Sequence, residues 1–362
     1  MDNFEEYLRQ GEPNKAEKAK DWKTAIGLQK VDGLKPSDYL IETARQNIEG
    51  DITIEEVKQR IDTYYKQYPT HTNEDRTEEA DKVSARMTEI LSEQTFTFSP
   101  AEYLTIHRRL FQGIYRHAGK IRDYNITKQE WVLNGETVLY GSAESLKATL
   151  EYDFEQEKKF SYKGLSEQEV IEHIAHFISY LWQIHIFGEG NTRTTAIFLI
   201  KYLRKHGYKE LNNDLFAVHS WYFRNALVRA NYKNHTKNIH ASNEFLLRFF
   251  ENLLLDENHI LKNREMHVQF IEPVNDPVKA KNDPVNDPVN DLVNDSVKRS
   301  ILQLLKQNPK ANYSELADKT GYSTATIKRH IQELKKMGKI ERIGSDKTGY
   351  WEIIEPTEKK VK

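Results

Sequence analysis

Within nine residues, His185 to Arg193, the stretch IHIFGEGNTRTT gathers an imidazole, a carboxylate, two glycines, an asparagine and an arginine. Gly188 and Gly190 let the backbone turn sharply and come close to a ligand. A helix opening there leaves the amides of residues 190–193 free to face a phosphate, helped by the helix dipole. Arg193 adds a planar, permanently charged fork for phosphate oxygens. Glu189 is an oxygen ligand of the kind Mg²⁺ takes beside substrate phosphates. His185, at the mouth, can accept a proton near neutral pH. Base, metal carboxylate and anion cradle at this spacing point to phosphoryl or nucleotidyl transfer. The pattern is not a P-loop, since no Gly-Lys-Ser/Thr follows, and not a dinucleotide fingerprint, since a helix rather than a strand precedes it.

Two helices must position this loop. Upstream, Ile171, Ile174, Phe177, Ile178, Leu181 and Trp182 recur at three and four residues, the spacing of a buried face. Downstream, TAIFLIKYLRKHG resumes that period and stops at Gly207, a C-terminal cap.

HIFGEGNTR closely resembles the Fic-domain signature HxFx(D/E)GN(G/x)R, and the resemblance extends over about residues 80 to 255. It implies an all-α catalytic domain that transfers AMP from ATP to a Ser, Thr or Tyr hydroxyl of a protein, with ATP as substrate and Mg²⁺ as cofactor. By that resemblance His185 is the catalytic base, Glu189 the metal ligand, and Phe187 a core anchor. Gly188, Glu189, Gly190, Asn191, Thr192 and Arg193 hold the nucleotide, with Asn191 on the α-phosphate and Arg193 on the β-phosphate. Tyr222, Ala226 and Asn231 fall where related domains build the adenine side. Thr192 replaces a usual Gly, and Ala196 stands where a second Arg usually binds the γ-phosphate and pairs with an inhibitory glutamate. Upstream, NIEGDITIEEV resembles the inhibitory helix (S/T)xxxE(G/N) of many such proteins, with Glu49 as the inhibitory carboxylate, Arg45 in the Ser/Thr position, and Arg193 as the partner left for Glu49.

Other segments have their own signals. Ser37 or Asp38 caps a helix ending at Gly50, and Thr53 with Glu56 forms a capping box for the next. Residues 79–94 are helical, and Ser99-Pro100 opens another helix. His107 and His117 read as packing or surface residues. Asn134-Gly135 between EWVL and ETVLY is a hairpin signal. In the Fic resemblance this is the flap, residues 127–142, an exposed hairpin that docks the target protein, or the chain itself in automodification, by strand addition.

Residues 271–295 repeat Val-Asn-Asp-Pro, whose prolines prevent a helix, and read as a linker. Beyond them, three helices and a hairpin resemble a winged helix-turn-helix. In that reading Ser323 or Thr324 caps the third helix, Thr324, Thr326, Lys328, Arg329 and Gln332 face DNA, and Lys335, Lys336 and Lys347 meet phosphates. Charge agrees: residues 296–362 hold fifteen Lys and Arg against eight Asp and Glu, so with the chain at −2 the rest carries about −9.

The expected fold is mainly α, a Fic-type helical bundle with a β-hairpin flap followed by a winged helix-turn-helix (α+β). Its divisions are 1–78, a regulatory helical segment whose residues 1–38 wrap the main domain; 79–270, catalytic; 271–295, linker; and 296–355, winged helix-turn-helix with DNA as partner. The 362 residues contain no cysteine, which excludes disulfides and thiolate metal sites. No HExxH spacing supports a zinc site. No run of 18 apolar residues spans a membrane, and the polar start is no signal peptide, so the default location is cytoplasmic. The residues are compatible with an oligomer. Competing functions are a DNA-binding regulator with a nucleotide-sensing Fic domain, and transfer from a different phosphate-containing donor.

Overall fold

The computed structural model describes residues 4–10, 12–68, 76–208, 211 and 214–270, and in the C-terminal part 301–302, 304–306, 308–320, 327–328, 331–332, 334–335, 339–343 and 349–353. The chain forms two compact units, Met1–Val274 and Asn275–Lys362. The repeat linker lies outside the described residues. So do Gly321, Ser323, Thr324, Thr326, Arg329, Lys336 and Lys347 of the expected DNA-reading face.

The first unit is helical: α1 Glu5–Gln10, α2 Pro13–Gly27, α3 Asp38–Glu49, α4 Ile54–Gln67, α5 Thr77–Ser92, α6 Pro100–Phe111, α7 Leu146–Lys159, α8 Glu167–Ile184, α9 Asn191–Lys205, α10 Asp214–Asn231 and α11 Glu244–Leu254. The caps explain the boundaries. Ser37, not Asp38, caps α3 by accepting from the Leu40 amide at 3.0 Å, and Gly50 ends it at φ 91. Thr53 and Glu56 form the reciprocal box at the head of α4. Ser99 caps α6 with Pro100 in its first turn, and Ser166 with Glu169 builds a second capping box on α8. Helix α9 stops at Lys205, and Gly207 follows it in the left-handed conformation (φ 95).

Helix α9 is the centre of this unit. Every residue from Asn191 to Leu203 is buried, and α5, α6 and α8 pack around it. A helix buried on all sides must satisfy its polar groups internally. Lys201 does so by donating its ammonium to the Ile90 carbonyl at 3.0 Å and to that of Glu93, near the C-terminus of α5.

The N-terminal helices belong to the same unit. Phe4, Trp22, Leu40, Ala44, Ile48, Val57, Ile61 and Tyr65 share a small core with Ala85 of α5. Helix α2 approaches α10 so closely that a Cβ on Gly27 would lie 2.2 Å from the Ala217 Cα. The Ser220 hydroxyl donates to the Gly27 carbonyl across that contact at 2.9 Å. The chain then turns through a 3-10 segment, Leu28–Asp32, which delivers Gln29 and Asp32 toward α9.

The expected exposed hairpin is corrected. Asn134 and Gly135 do adopt positive φ, 56° and 85°, and Glu130 and Glu136 are bridged by a 2.9 Å backbone bond. Yet residues 127–142 hold no strand, and Trp131–Leu133 is a 3-10 turn. Val132, Leu133, Val138 and Tyr140 are buried in the main core. Four apolar side chains in this loop gain more by burial than a solvent-exposed ribbon could offer. Leu139, 84% exposed, is the large apolar residue it leaves outside.

In the second unit the described parts of 301–306 and the helix Tyr313–Thr320 precede an antiparallel pair, β1 Ile340–Ile343 and β2 Tyr350–Ile353. The register sets Ile340 opposite Ile353 and Arg342 opposite Trp351. Ile301, Leu305, Leu316, Ile327, Ile331, Leu334, Ile340 and Trp351 form its core.

Candidate active site

Helix α8 ends at Ile184, and His185 caps it in the left-handed conformation, φ 49 and ψ 53. A β-carbon is strained there, so something must hold it. Arg122 does. Its Nε donates to the His185 carbonyl at 2.7 Å, one Nη to Gly141 (2.5 Å) and Ile184 (3.4 Å), and the other to Tyr124. The turn aims the imidazole inward: His185 is 4% exposed. Its ring lies 4.2 Å from that of Tyr140 and edge-on to Trp182 at 5.2 Å. Neither ring nitrogen makes a well-formed hydrogen bond among the described residues, and the Trp182 carbonyl is at most a weak backbone partner. Burial, with Lys128 and Arg224 adding to it, pushes this imidazole well below its usual range, so the ring is neutral and able to accept a proton.

The loop after His185 is braced from beneath. Phe187 stacks on His107, ring centroids 3.7 Å apart and 10° from parallel. The His107 Nδ1 accepts from the Gly119 amide (2.8 Å), which leaves Nε2 to donate to the Glu189 carbonyl (3.0 Å). Burial lowers that imidazole to about 3. Phe187 is therefore the expected core anchor, and His107 its support. Asn191 folds its amide back on the loop, accepting from the Phe187 amide at 3.0 Å and donating to the Phe187 carbonyl at 2.8 Å. It shapes the bend by itself.

Space and conformation require Gly190, whereas at Gly188 it is chiefly the end of the exposed Tyr124 side chain that a Cβ would displace. A Cβ on Gly188 would sit 2.6 Å from the Tyr124 hydroxyl, and one on Gly190 2.4 Å from the Phe111 ring, at φ 75. Helix α9 makes its first backbone bond from Thr194 to Gly190 (3.0 Å), so the amides of Asn191, Thr192 and Arg193 open the helix ahead of it. The Thr192 hydroxyl accepts from the Trp182 indole at 3.0 Å. The Glu189 carboxylate is half exposed, with Lys128 Nζ 3.4 Å away. Among the described residues no three His, Asp or Glu side chains converge into a metal cage. A lone carboxylate next to an anion cradle fits the Mg²⁺ mode that completes its shell with donor phosphates and water.

Arg193 is fully buried and fully engaged. Nε pairs with Asp32 at 2.7 Å, Nη2 with Glu79 at 2.7 Å and the Tyr115 hydroxyl at 3.1 Å, and Nη1 donates to Gln29 at 2.9 Å. Against the burial that would raise it, Arg76 and Arg193 hold the Glu79 carboxyl below the usual range. The carboxylates on Arg193 are thus not the expected one. Glu49 pairs with Lys15 at 2.8 Å and bonds Tyr7, at the exposed C-terminal end of α3. The sequence missed Asp32 and Glu79 because nothing local marks them: an Asp at a 3-10 end and a Glu in a first helical turn are ordinary capping choices.

Two further expectations change. Tyr222 is buried in the core beside Phe249, its hydroxyl without a partner among the described residues. Asn231 ties α10 to Ser179 of α8. Neither faces the loop through a described contact. Ala196 is fully buried in the core.

A model of the Fic/DOC family matches residues 97–203, and one of the winged helix-turn-helix DNA-binding family matches residues 294–341. Protein adenylyltransferase VbhT of Bartonella schoenbuchensis is 30% identical over 103 residues, 28% of this chain and 20% of that protein. The chain thus spans about a fifth of the length of this curated relative. Among solved structures, the N-terminal FIC domain of Bep8 from Bartonella sp. 1-1C is 19% identical with a TM-score of 0.38, over 52% of this chain and 94% of its own. A Fic family protein from Desulfovibrio desulfuricans G20 is 11% identical with a TM-score of 0.44, over 96% and 90%. The chain carries a Fic domain, with the signature at the head of α9, and a C-terminal winged helix-turn-helix.

Proposed function

We propose that the Fic domain is a protein adenylyltransferase that is restrained in the state described. The observation that carries this is the buried imidazole of His185, without a well-formed hydrogen bond among the described residues, beside a glycine-shaped helix N-terminus. In the reaction the oxygen of a Ser, Thr or Tyr hydroxyl attacks the α-phosphorus of ATP, and the bond from that phosphorus to the β-bridging oxygen breaks. Pyrophosphate leaves, and the hydroxyl proton passes to His185. The amides of residues 191–193 hold phosphate oxygens, and Arg193 neutralises charge once its carboxylates release it. Glu189 would hold Mg²⁺, whose charge offsets that of the phosphates. The target's modified segment docks along residues 127–142 beside exposed Leu139, and the chain's own hydroxyls are substrates in automodification.

Incubation with labelled ATP and Mg²⁺ tests this reading. Label on the chain or on lysate proteins, lost in His185→Ala, supports it; label that the variant retains would refute it. A second reading, a nucleotide-responsive DNA-binding regulator, is favoured by the saturation of Arg193 together with the winged helix. It expects salt-dependent DNA binding through residues 296–355 that nucleotide alters. Ala196 keeps donors other than ATP in the comparison, so GTP, UTP and CDP-choline belong in the same assay. A cytoplasmic site of action fits both readings.

A further inference from the structure

A histidine that serves as a base is ordinarily oriented through its second ring nitrogen, which donates to a carboxylate or carbonyl. His185 has no well-formed bond of this kind among the described residues, the Trp182 carbonyl being at most a weak backbone partner. Its orientation falls instead to two neighbouring rings, Tyr140 at 4.2 Å and Trp182 at 5.2 Å, which also meet each other at 5.8 Å. Each of these rings is fixed at its far, polar end. The Tyr140 hydroxyl donates to Glu130 at 3.0 Å, and Glu130, fully buried, is gripped by the Arg224 guanidinium at 2.8 Å. The Trp182 indole donates to the Thr192 hydroxyl at 3.0 Å.

We infer that Tyr140, Trp182, Glu130 and Thr192 are positioning residues for His185. They form a clamp of rings that fixes the imidazole where its own hydrogen bonding is too weak to do so. The inference rests on the proposed role of His185 as base, and it assigns Thr192 a specific task. At that position a hydroxyl acceptor, rather than the nucleotide contact of its side chain, is what the structure uses. The backbone amide of Thr192 remains available to an anion, so the two tasks separate by atom.

The physics is directional. A ring held only by dispersion slides among several packings of similar energy. A hydrogen bond at its rim selects one. The imidazole then keeps the angle at which Nε2 or Nδ1 meets the hydroxyl. Misplacement by about 1 Å costs on the order of 100-fold in rate.

The test uses Thr192→Val, which keeps shape and backbone but removes the acceptor, Thr192→Ser, which restores it, and Tyr140→Phe, which removes the anchor to Glu130. In AMP transfer, Thr192→Val and Tyr140→Phe should each lower kcat about 10- to 100-fold with KM for ATP within about twofold, and Thr192→Ser should recover most of the rate. The ring ¹⁵N resonances of His185, assigned against His185→Gln in the full chain, should move or broaden in Thr192→Val and Tyr140→Phe and return in Thr192→Ser. Unchanged His185 resonances in Thr192→Val and Tyr140→Phe would overturn the clamp, and so would a loss expressed in KM alone. If no donor gives transfer in the wild-type chain, the enzymatic reading fails and the NMR comparison still decides the clamp.

Discussion

Asp32→Ala is the perturbation on which the restrained state depends. Arg193 is wholly buried and carries two carboxylates, so a phosphate can reach it only by displacing them. The two are not equally free to leave. Glu79 is held in a fork by Arg76, Nε to Oε2 at 2.8 Å and Nη2 to Oε1 at 2.7 Å, and keeps that partner if Arg193 turns away. Asp32 has Arg193 as its only ion-pair partner among the described residues. A close charge pair with one buried member is worth about 1.5–3 kcal/mol, the low end of the range for such pairs, and each 1.4 kcal/mol is about tenfold in affinity. Removing Asp32 should therefore lower the KM for ATP about 10- to 100-fold. The same ion pair supports the fold, so Tm should fall by roughly 3–12 °C, on about 2–4 °C per kcal/mol for a unit of this size. The measurement is label incorporation against ATP concentration, run beside a thermal melt. A lower Tm with unchanged KM would show that Asp32 braces the fold without restraining the site, and would refute the reasoning.

Glu49→Gly should leave incorporation at the wild-type level, because that carboxylate is bound to Lys15 and Tyr7; a several-fold rise would contradict the contacts. Arg122→Met should cost about 2–5 kcal/mol by chemical denaturation, since it strands the buried carbonyls of His185 and Ile184 and the partly buried ones of Tyr124 and Gly141. The buried imidazoles predict an acid-sensitive fold. His107 titrates near 3 when folded and about 6.5 when unfolded, so between those values the unfolded chain binds the extra proton. Stability is complete above pH 6.5 and declines as pH drops toward 3; a melting temperature flat across that window would disagree. For the same reason the acid limb of transfer should lie well below pH 6.5, and a half-maximum at 6.5 or above that follows His185 would exclude a buried neutral base.

The sequence by itself determined the loop from His185 to Arg193, the helices on either side, the caps at Thr53 and Ser99, and the β-pair of the second unit. These are local matters of spacing, periodicity and backbone conformation, decided by residues within a few positions of one another. Tertiary structure decided what Arg193 holds: Glu79 and Gln29 come from 114 and 164 residues away. It also buried the segment around Asn134-Gly135, where the turn was legible but the pull of Val132, Leu133, Val138 and Tyr140 toward the core was not. A side chain's charge partner and a loop's burial depend on which helices meet. That is a collective outcome of packing which no short stretch of residues encodes.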